Sequence, residues 1–224
     1  MIKGVLFDMD GVIFNTGYIW KLCYEKANEK FGLKLDENYR QTNMMGKSDK
    51  DIRAQLKKEF PNIDVDDYRN YTQQSVKTIM QTSCDLLKPY FLEIANDLKS
   101  KGIKLALATS SSKERCNILF KNHKIDREKL FDFSIMADDV TKSKPDPEIF
   151  LKASAGLKLK PEECIVLEDS LLGLKSAHSA GCYPIMVVDM IKPNKETEYF
   201  AKKIVNSLKE ADEYILNEIL PDQN

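Results

Sequence analysis

Short runs of consecutive apolar residues recur along the chain, and longer segments with helical spacing lie between them. The runs are continuous rather than alternating, which is typical of strands covered on both faces in a parallel sheet. Five runs stand out, namely Gly4–Phe7, Lys104–Ala108 and residues 133–137, 164–167 and 184–188. The pattern therefore predicts a buried parallel sheet.

Helical spacing flanks the later runs, over residues 90–101, 147–155 and 171–180. Gly102 and Gly181 follow two of these segments, at a position where glycine commonly ends a helix. Ser170 precedes the last segment and is a good N-cap residue. Strands that alternate with helices in this way predict an α/β fold with a doubly wound, Rossmann-like parallel sheet.

The stretch between the first two runs breaks this rhythm. It shows helical spacing over residues 20–31, 49–60 and 68–80, and it contains no convincing buried strand. A loop of this length is uncommon inside a compact domain. We therefore predict an all-helical cap domain at residues 15–87, inserted into an α/β core that comprises residues 1–14 and 88–224.

The charge balance gives no sign of a polyanionic partner. The 224 residues include 34 Lys and Arg against 35 Asp and Glu, with no block of like charge. This pattern argues against nucleic acid or an acidic membrane as the partner. The sequence shows neither a secretory signal nor an apolar run of about 18 residues that could span a membrane. We therefore expect a cytoplasmic protein with free cysteines, and a monomer by default.

Polar side chains follow four of the five predicted strands. They are Asp8 after the first strand, Thr109 and Ser110 after the second, Lys144 in the loop after the third, and Glu168 and Asp169 after the fourth. Open α/β sheets bind their ligands in the crevice at the carboxyl ends of the strands. We therefore expect these side chains to meet in one site.

The acidic members of this group imply a specific chemistry. With Asp10, two positions after the first of them, they bring up to four carboxylates to one crevice, which requires a cation or bound protons. Carboxylate oxygens suit Mg²⁺, which commonly keeps several waters and a substrate phosphate. Lys144 and the hydroxyls of Thr109 and Ser110 can donate to an anionic phosphoryl group. Gly11 allows the backbone to turn close to that group.

Four ordered motifs resemble those of the haloacid dehalogenase-like phosphohydrolases, in particular the group that includes β-phosphoglucomutase. They are Asp8-Met9-Asp10-Gly11-Val12, Ala108-Thr109-Ser110-Ser111, Lys144-Pro145-Asp146-Pro147-Glu148-Ile149-Phe150 and Glu168-Asp169-Ser170-Leu171-Leu172-Gly173. A lone DxD motif would carry little information. Four motifs in this order, with a helical insert after the first, extend the resemblance over nearly the whole chain.

The resemblance implies a covalent mechanism of phosphoryl transfer. Asp8 would attack phosphorus and form an aspartyl-phosphate, which is a recognised form of catalysis by a carboxylate. Asp10 would protonate the leaving oxygen and then accept a proton from the attacking water. Thr109 and Lys144 would balance the charge on the phosphoryl oxygens.

The resemblance also implies which residues bind the metal ion and the substrate. The Mg²⁺ ligands would come from Asp8, the backbone carbonyl of Asp10, Asp169 and Glu168, the last as a ligand or as an outer partner. Gly11 and Ser110 are candidate substrate contacts in the core. Trp20 and Lys47 are candidate substrate contacts in the cap.

Two departures from the family pattern bear on the reaction. β-Phosphoglucomutase has a histidine at the position of Trp20. It also has a phosphate-gripping arginine in the cap near the position of Asp49, where this chain reads Gly46-Lys47-Ser48-Asp49. A mutase must hold a bisphosphate by its distal phosphate, which is the role of that arginine. Because this stretch lacks it, we expect hydrolysis of a small organic phosphate, with sugar phosphates as the first candidates. A phosphosugar mutase and a non-catalytic phosphate-binding protein on the same scaffold are the alternatives.

Overall fold

Six parallel strands form one sheet within residues 1–45 and 47–220, the part of the chain that this computed structural model describes. The strands are β1 (Gly4–Phe7), β2 (Lys104–Ala108), β3 (Phe133–Ile135), β4 (Cys164–Glu168), β5 (Tyr183–Val187) and β6 (Lys203–Val205). Their order in the sheet is β3-β2-β1-β4-β5-β6. The predicted doubly wound parallel sheet is confirmed.

The central strand β1 explains why the apolar runs are continuous. Val5, Leu6 and Phe7 have no exposed surface. Val5 and Phe7 join the hydrophobic cluster on one face of the sheet, and Leu6 joins the cluster on the other face. Because helices cover both faces, each position of the strand is buried regardless of the side to which it points.

Two strand predictions require correction. The run at 133–137 was predicted as one strand, but β3 ends at Ile135 and a 3₁₀ turn begins at Ala137. Met136 extended the apolar run although it lies outside the sheet, because its side chain is buried, at 3% exposure. The edge strand β6 was missed because it has only three residues, of which Val205 alone is buried.

Eleven α-helices lie within the described residues. They are α1 (Gly17–Phe31), α2 (Glu37–Asn43), α3 (Asp49–Glu59), α4 (Val65–Thr82), α5 (Phe91–Ser100), α6 (Lys113–Asn122), α7 (Arg127–Leu130), α8 (Glu148–Gly156), α9 (Leu171–Ala180), α10 (Lys195–Phe200) and α11 (Leu208–Tyr214). None of these described helices is both long and apolar enough to cross a membrane.

The sequence signals at helix ends act as expected in α9. The Ser170 hydroxyl accepts a hydrogen bond from the backbone N–H of Gly173 at 3.1 Å, so Ser170 is the N-cap. Gly181 ends the helix in the left-handed conformation, with φ of 82°. This helix therefore begins directly after Glu168 and Asp169, both of which are buried at the carboxyl end of β4.

Helices α1–α4 form the helical insert between β1 and β2, as predicted. They enclose a hydrophobic cluster of their own, which includes Tyr24, Leu56 and Tyr68. The chain enters and leaves this insert through two adjacent segments, because Asn15 N–H donates to Leu86 O at 2.7 Å. The insert boundaries at 14/15 and 87/88 stay a prediction, and the last four residues of the predicted core lie outside the described part of the chain.

Candidate active site

A cavity of about 590 Å³ lies between the carboxyl edge of the sheet and the helical insert. All ten residues that the sequence nominated line it, namely Asp8, Asp10, Gly11, Trp20, Lys47, Thr109, Ser110, Lys144, Glu168 and Asp169. Four separate segments of the core and two segments of the insert, helix α1 and the connection before α3, thus converge on one volume. Their roles in catalysis and binding stay predictions.

The ammonium group of Lys144 lies at the base of the cavity between two carboxylates. Its Nζ is 2.6 Å from Asp8 Oδ1 and 2.6 Å from Glu168 Oε1, and the residue is 2% exposed. Burial opposes the charge of Lys144, but the two carboxylates outweigh it, so the pKa of the lysine is raised above its ordinary value. Lys144 is therefore a fixed cation.

The neighbouring carboxylates are hard to ionise in the absence of a further cation. Burial raises the pKa of Asp8 to about 7; Lys144 lowers it in part, and Glu168 adds to the rise. The pKa of Asp169 is raised well above its ordinary value by burial and then by the charges of Glu168 and Asp8. Both groups would release their protons more readily if a cation were bound beside them.

Gly11 adopts a conformation that few other residues tolerate at this position. Its φ is +81°, and a Cβ atom built on it would lie 2.2 Å from Asp169 Oδ2. The missing side chain therefore lets the loop after β1 approach the carboxylate that follows β4. This close approach brings Asp8 and Asp169 to the same end of the cavity.

Asp10 is held by two hydroxyl groups, one on each carboxylate oxygen. Thr16 Oγ1 donates to Asp10 Oδ1 at 2.5 Å, and Ser111 Oγ donates to Asp10 Oδ2. Thr109, which is 1% exposed, accepts a hydrogen bond on Oγ1 from the backbone N–H of Ser111 at 3.0 Å. Ser112 is the residue that caps α6, which leaves Ser111 directed at Asp10.

The chemistry of these groups suits a magnesium ion that is completed by waters and substrate. Within the described residues, no three His, Cys, Asp or Glu side chains converge so as to hold a metal ion by themselves. The predicted ligand set, however, includes a backbone carbonyl, and Mg²⁺ commonly binds through one or two carboxylates. A further carboxylate, Asp189, pairs with Lys88 through Oδ1 at 2.5 Å and leaves Oδ2 buried without a partner. The excess of buried negative charge fits a divalent cation.

The insert forms the opposite wall of the cavity. Lys47 Nζ donates to Gln55 Oε1 at 2.6 Å, so its ammonium is partly occupied within the insert. Trp20 stacks on Tyr24 with ring centroids 5.7 Å apart, and the guanidinium carbon of Arg115 lies 4.9 Å from the Trp20 ring. Arg115 belongs to α6, so this contact joins the insert to the core.

The cavity has an arginine beside Asp49 that the sequence around Asp49 does not show. Arg69, twenty residues further along, donates from Nε to Asp49 Oδ1 at 2.9 Å and also contacts the hydroxyl of Tyr24. Arg69 is 1% exposed and lines the cavity. The insert therefore carries an arginine at this place after all, although Asp49 and Tyr24 engage its guanidinium.

The sequence analysis also missed Ser111, Arg115 and Asp189 as site residues. Ser111 stands inside the second motif, and Arg115 follows it by one helical turn, so the start of α6 was the available signal. Asp189 follows β5 in the same manner as the other strand-end carboxylates. Only its distance from the recognised motifs kept it from being considered.

Comparison with known proteins gives a consistent result. A model of the haloacid dehalogenase-like hydrolase family matches residues 5–187. A phosphorylated carbohydrates phosphatase of Thermotoga maritima is 33% identical over 183 residues, which cover 80% of this chain and 82% of that protein. The beta-phosphoglucomutase of Bacillus subtilis is 29% identical and covers 83% of each chain. The crystal structure of a beta-phosphoglucomutase from Clostridium difficile matches with a TM-score of 0.76 at 26% identity, covering 97% of this chain and all of that one.

Proposed function

The chain belongs to the haloacid dehalogenase-like hydrolase family, and from that premise we propose that it is a magnesium-dependent phosphatase of small organic phosphates. One observation carries the proposal: the buried ammonium of Lys144 bridges Asp8 and Glu168 at the base of a cavity that Asp10 also lines. This is the charge arrangement that attack by a carboxylate on a phosphoryl group requires. The Thermotoga phosphatase of phosphorylated carbohydrates supports sugar phosphates as the first substrates to test.

In the first step, Asp8 attacks the phosphorus atom. Lys144 engages Oδ1 of Asp8, so Oδ2 is the oxygen available for attack. A bond forms between Oδ2 and phosphorus, the bond to the leaving oxygen breaks, and Asp10 gives its proton to that oxygen. Lys144 and the hydroxyl of Thr109 stabilise the negative charge on the phosphoryl oxygens.

In the second step, water attacks the phosphorus of the aspartyl-phosphate. Asp10, which is ionised after the first step, takes the proton of the water. The bond between phosphorus and Asp8 then breaks and inorganic phosphate leaves. The two hydroxyl donors on Asp10 keep its carboxylate in place for both proton transfers.

The metal ion would be held by Asp8, the backbone carbonyl of Asp10 and Asp169. When bound, it neutralises the negative charge that these carboxylates and the phosphate bring together. Glu168 is better suited to an outer position, since Lys144 engages Oε1 and both the N–H and the hydroxyl of Ser170 engage Oε2. Its contribution is then to hold Lys144 against Asp8.

A phosphosugar mutase is the alternative that one observation favours. Arg69 and Arg40 are buried arginines of the insert that line the cavity, where a distal phosphate would need cationic partners. Asp49 and Tyr24 engage Arg69, and Glu37 engages Arg40, so neither guanidinium is unpaired. Hydrolysis is therefore the reaction that we put forward.

The test is a screen of sugar phosphates, nucleotides and phosphoglycolate for phosphate release, with Mg²⁺ and with EDTA. We expect activity that requires Mg²⁺ and that is abolished in Asp8→Asn. Activity in EDTA, or in Asp8→Asn, would overturn the mechanism. With β-glucose 1-phosphate and its bisphosphate, formation of glucose 6-phosphate without free phosphate would establish the mutase instead. Tight phosphate binding without turnover of any substrate would support a non-catalytic protein.

A further inference from the structure

Arg115 lies beside the proposed acid/base group without belonging to any of the four motifs. Its Nε donates to Ser111 Oγ at 2.9 Å, and its Nη2 reaches the same oxygen. Nη2 is also 3.7 Å from Asp10 Oδ2. The side chain keeps 23% of its surface exposed, and it lines the cavity.

The two contacts from Arg115 leave the Ser111 hydroxyl a single role. A serine hydroxyl has one hydrogen to donate and two lone pairs to accept with. Arg115 occupies both lone pairs, so the hydrogen is directed at Asp10 Oδ2, which Ser111 contacts. Oδ2 is thereby fixed as an acceptor. Oδ1 lies beside the Thr16 hydroxyl, which can turn to accept as well as donate, so Oδ1 is the oxygen that can carry the transferable proton.

The other face of Arg115 connects this arrangement to the insert. Its guanidinium carbon lies 4.9 Å from the Trp20 ring, within the range of a cation–π contact. Trp20 stands one helical turn after Thr16, so the beginning of α1 supplies contacts both to Asp10 and to Arg115. A second cross-contact lies nearby, where Lys77 of α4 pairs with Glu114 of α6 at 2.6 Å.

We propose that Arg115 is a positioning residue that orients Asp10 through Ser111 and does so fully only while Trp20 of the insert packs against it. In this arrangement Trp20 is a contact for Arg115. The Trp20 ring stacks on Tyr24 and also lies against the guanidinium of Arg115. The proposal rests on the proposed function, because it assigns Asp10 as the acid.

Leaving groups of different basicity separate this role from a structural one. An alkyl phosphate such as a sugar phosphate requires a proton on the departing oxygen, whereas p-nitrophenolate departs without one. In a covalent mechanism kcat/KM covers only the steps up to departure of the leaving group. A defect in positioning the acid must therefore lower kcat/KM for the alkyl substrate and spare the aryl substrate.

We expect Arg115→Ala and Ser111→Ala each to lower kcat/KM about 10- to 100-fold on the best alkyl phosphate of the screen, which is part of the usual contribution of general acid catalysis. On p-nitrophenyl phosphate the loss should stay within about threefold. The double variant should lose no more than either single variant, because both changes break the same chain of contacts. Ser111→Thr, which keeps the hydroxyl, should restore the alkyl activity.

Trp20→Leu should show the same selectivity, and Trp20→Phe, which keeps a ring face, should show less of it. Lys113→Ala is the matched control, since it removes an exposed cation from the first turn of the same helix; it should leave both substrates unaffected. Thermal melts confirm that each variant is folded before its kinetics are compared.

Equal losses of kcat/KM on both substrates in the folded variants would overturn the proposal. A loss of kcat/KM that grows with the number of anionic groups on the substrate would also overturn it, because Arg115 would then be a substrate contact. Asp10→Asn sets the reference, because it must show the full leaving-group selectivity. If the wild-type protein hydrolyses neither substrate, the proposed function fails. If the wild-type protein and Asp10→Asn behave as expected while Arg115→Ala is unselective, only the inference about Arg115 fails.

Discussion

Replacement of Lys144 by methionine tests the central charge arrangement of the site. The side chain is 1% exposed and its ammonium is 2.6 Å from one oxygen each of Asp8 and Glu168. Methionine is apolar and of similar length, so the change removes the charge with little loss of packing. It leaves two buried carboxylates without their cation, and breaking a buried pair in this way costs about 3–5 kcal/mol.

The loss of unfolding free energy in Lys144→Met should depend on pH, because the carboxylates beside Lys144 titrate. The pKa of Asp8 is already raised to about 7, chiefly by burial and in spite of Lys144. Without the lysine it rises further. A carboxyl group with a higher pKa in the folded state binds more protons there, so its stabilising contribution is present at low pH and is lost as the pH rises. The deficit of Lys144→Met should therefore be small near pH 5 and should grow as the pH rises above about 7.

The measurement is urea unfolding in EDTA at pH 5 and pH 8. Lys142→Met is the control, because its side chain is 71% exposed and its ion pair with Asp146 is long, at 3.5 Å; exposed pairs of this kind contribute about 0–1 kcal/mol. A Lys144→Met protein as stable as the wild type at pH 8, or one with the same deficit at both pH values, would refute this reasoning.

Three further outcomes are expected. Asp212→Asn should be more stable than the wild type at pH 7.5 and about equal to it near pH 4 in thermal melts. Burial and then the charge of Asp97 raise the pKa of Asp212 to about 6, so the stability that its protonated form provides is lost as the pH rises to that value. The rise in Tm caused by Mg²⁺ should be larger at pH 8 than at pH 5.5, because Asp8, with a pKa of about 7, must ionise to bind the ion. Gly11→Ala should lower Mg²⁺ affinity and activity about 10–100-fold by displacing Asp169. Gly102→Ala should not, since it carries the same left-handed strain of about 1 kcal/mol in open space; equal activity losses in the two alanine variants would contradict the steric explanation.

The sequence predicted the parts of the molecule in which local chemistry dictates position. The strand cores were readable because burial on both faces makes β1 uniformly apolar. The carboxyl ends of parallel strands meet by geometry, so Asp8, Thr109 and Glu168 could be placed together without a structure. Helix α9 was predicted residue for residue, since Ser170 and Gly181 mark its two ends.

The rest depends on contacts between segments that are distant in sequence. Helix α2 was missed because only Arg40 of its residues is buried, so it has no apolar stripe. Arg69 meets Asp49 through the packing of α4 against α3, which no local pattern encodes. Arg115 of α6 meets Trp20 of α1, and these two helices are distant in sequence.

The adjacent entry and exit of the insert have a consequence for how the chain folds. β1 must pair with β2 across nearly one hundred residues, beginning with Gly4 opposite Lys104. If helices α1–α4 assemble first, the bridge between Phe14 and Leu87 shortens the loop that remains to be closed about fourfold. At about 0.6 kcal/mol for each doubling of loop length, this lowers the entropic cost of the central pairing by about 1.2 kcal/mol. The insert that lines one wall of the cavity would thus also speed the formation of the sheet, by holding the two ends of the intervening segment together.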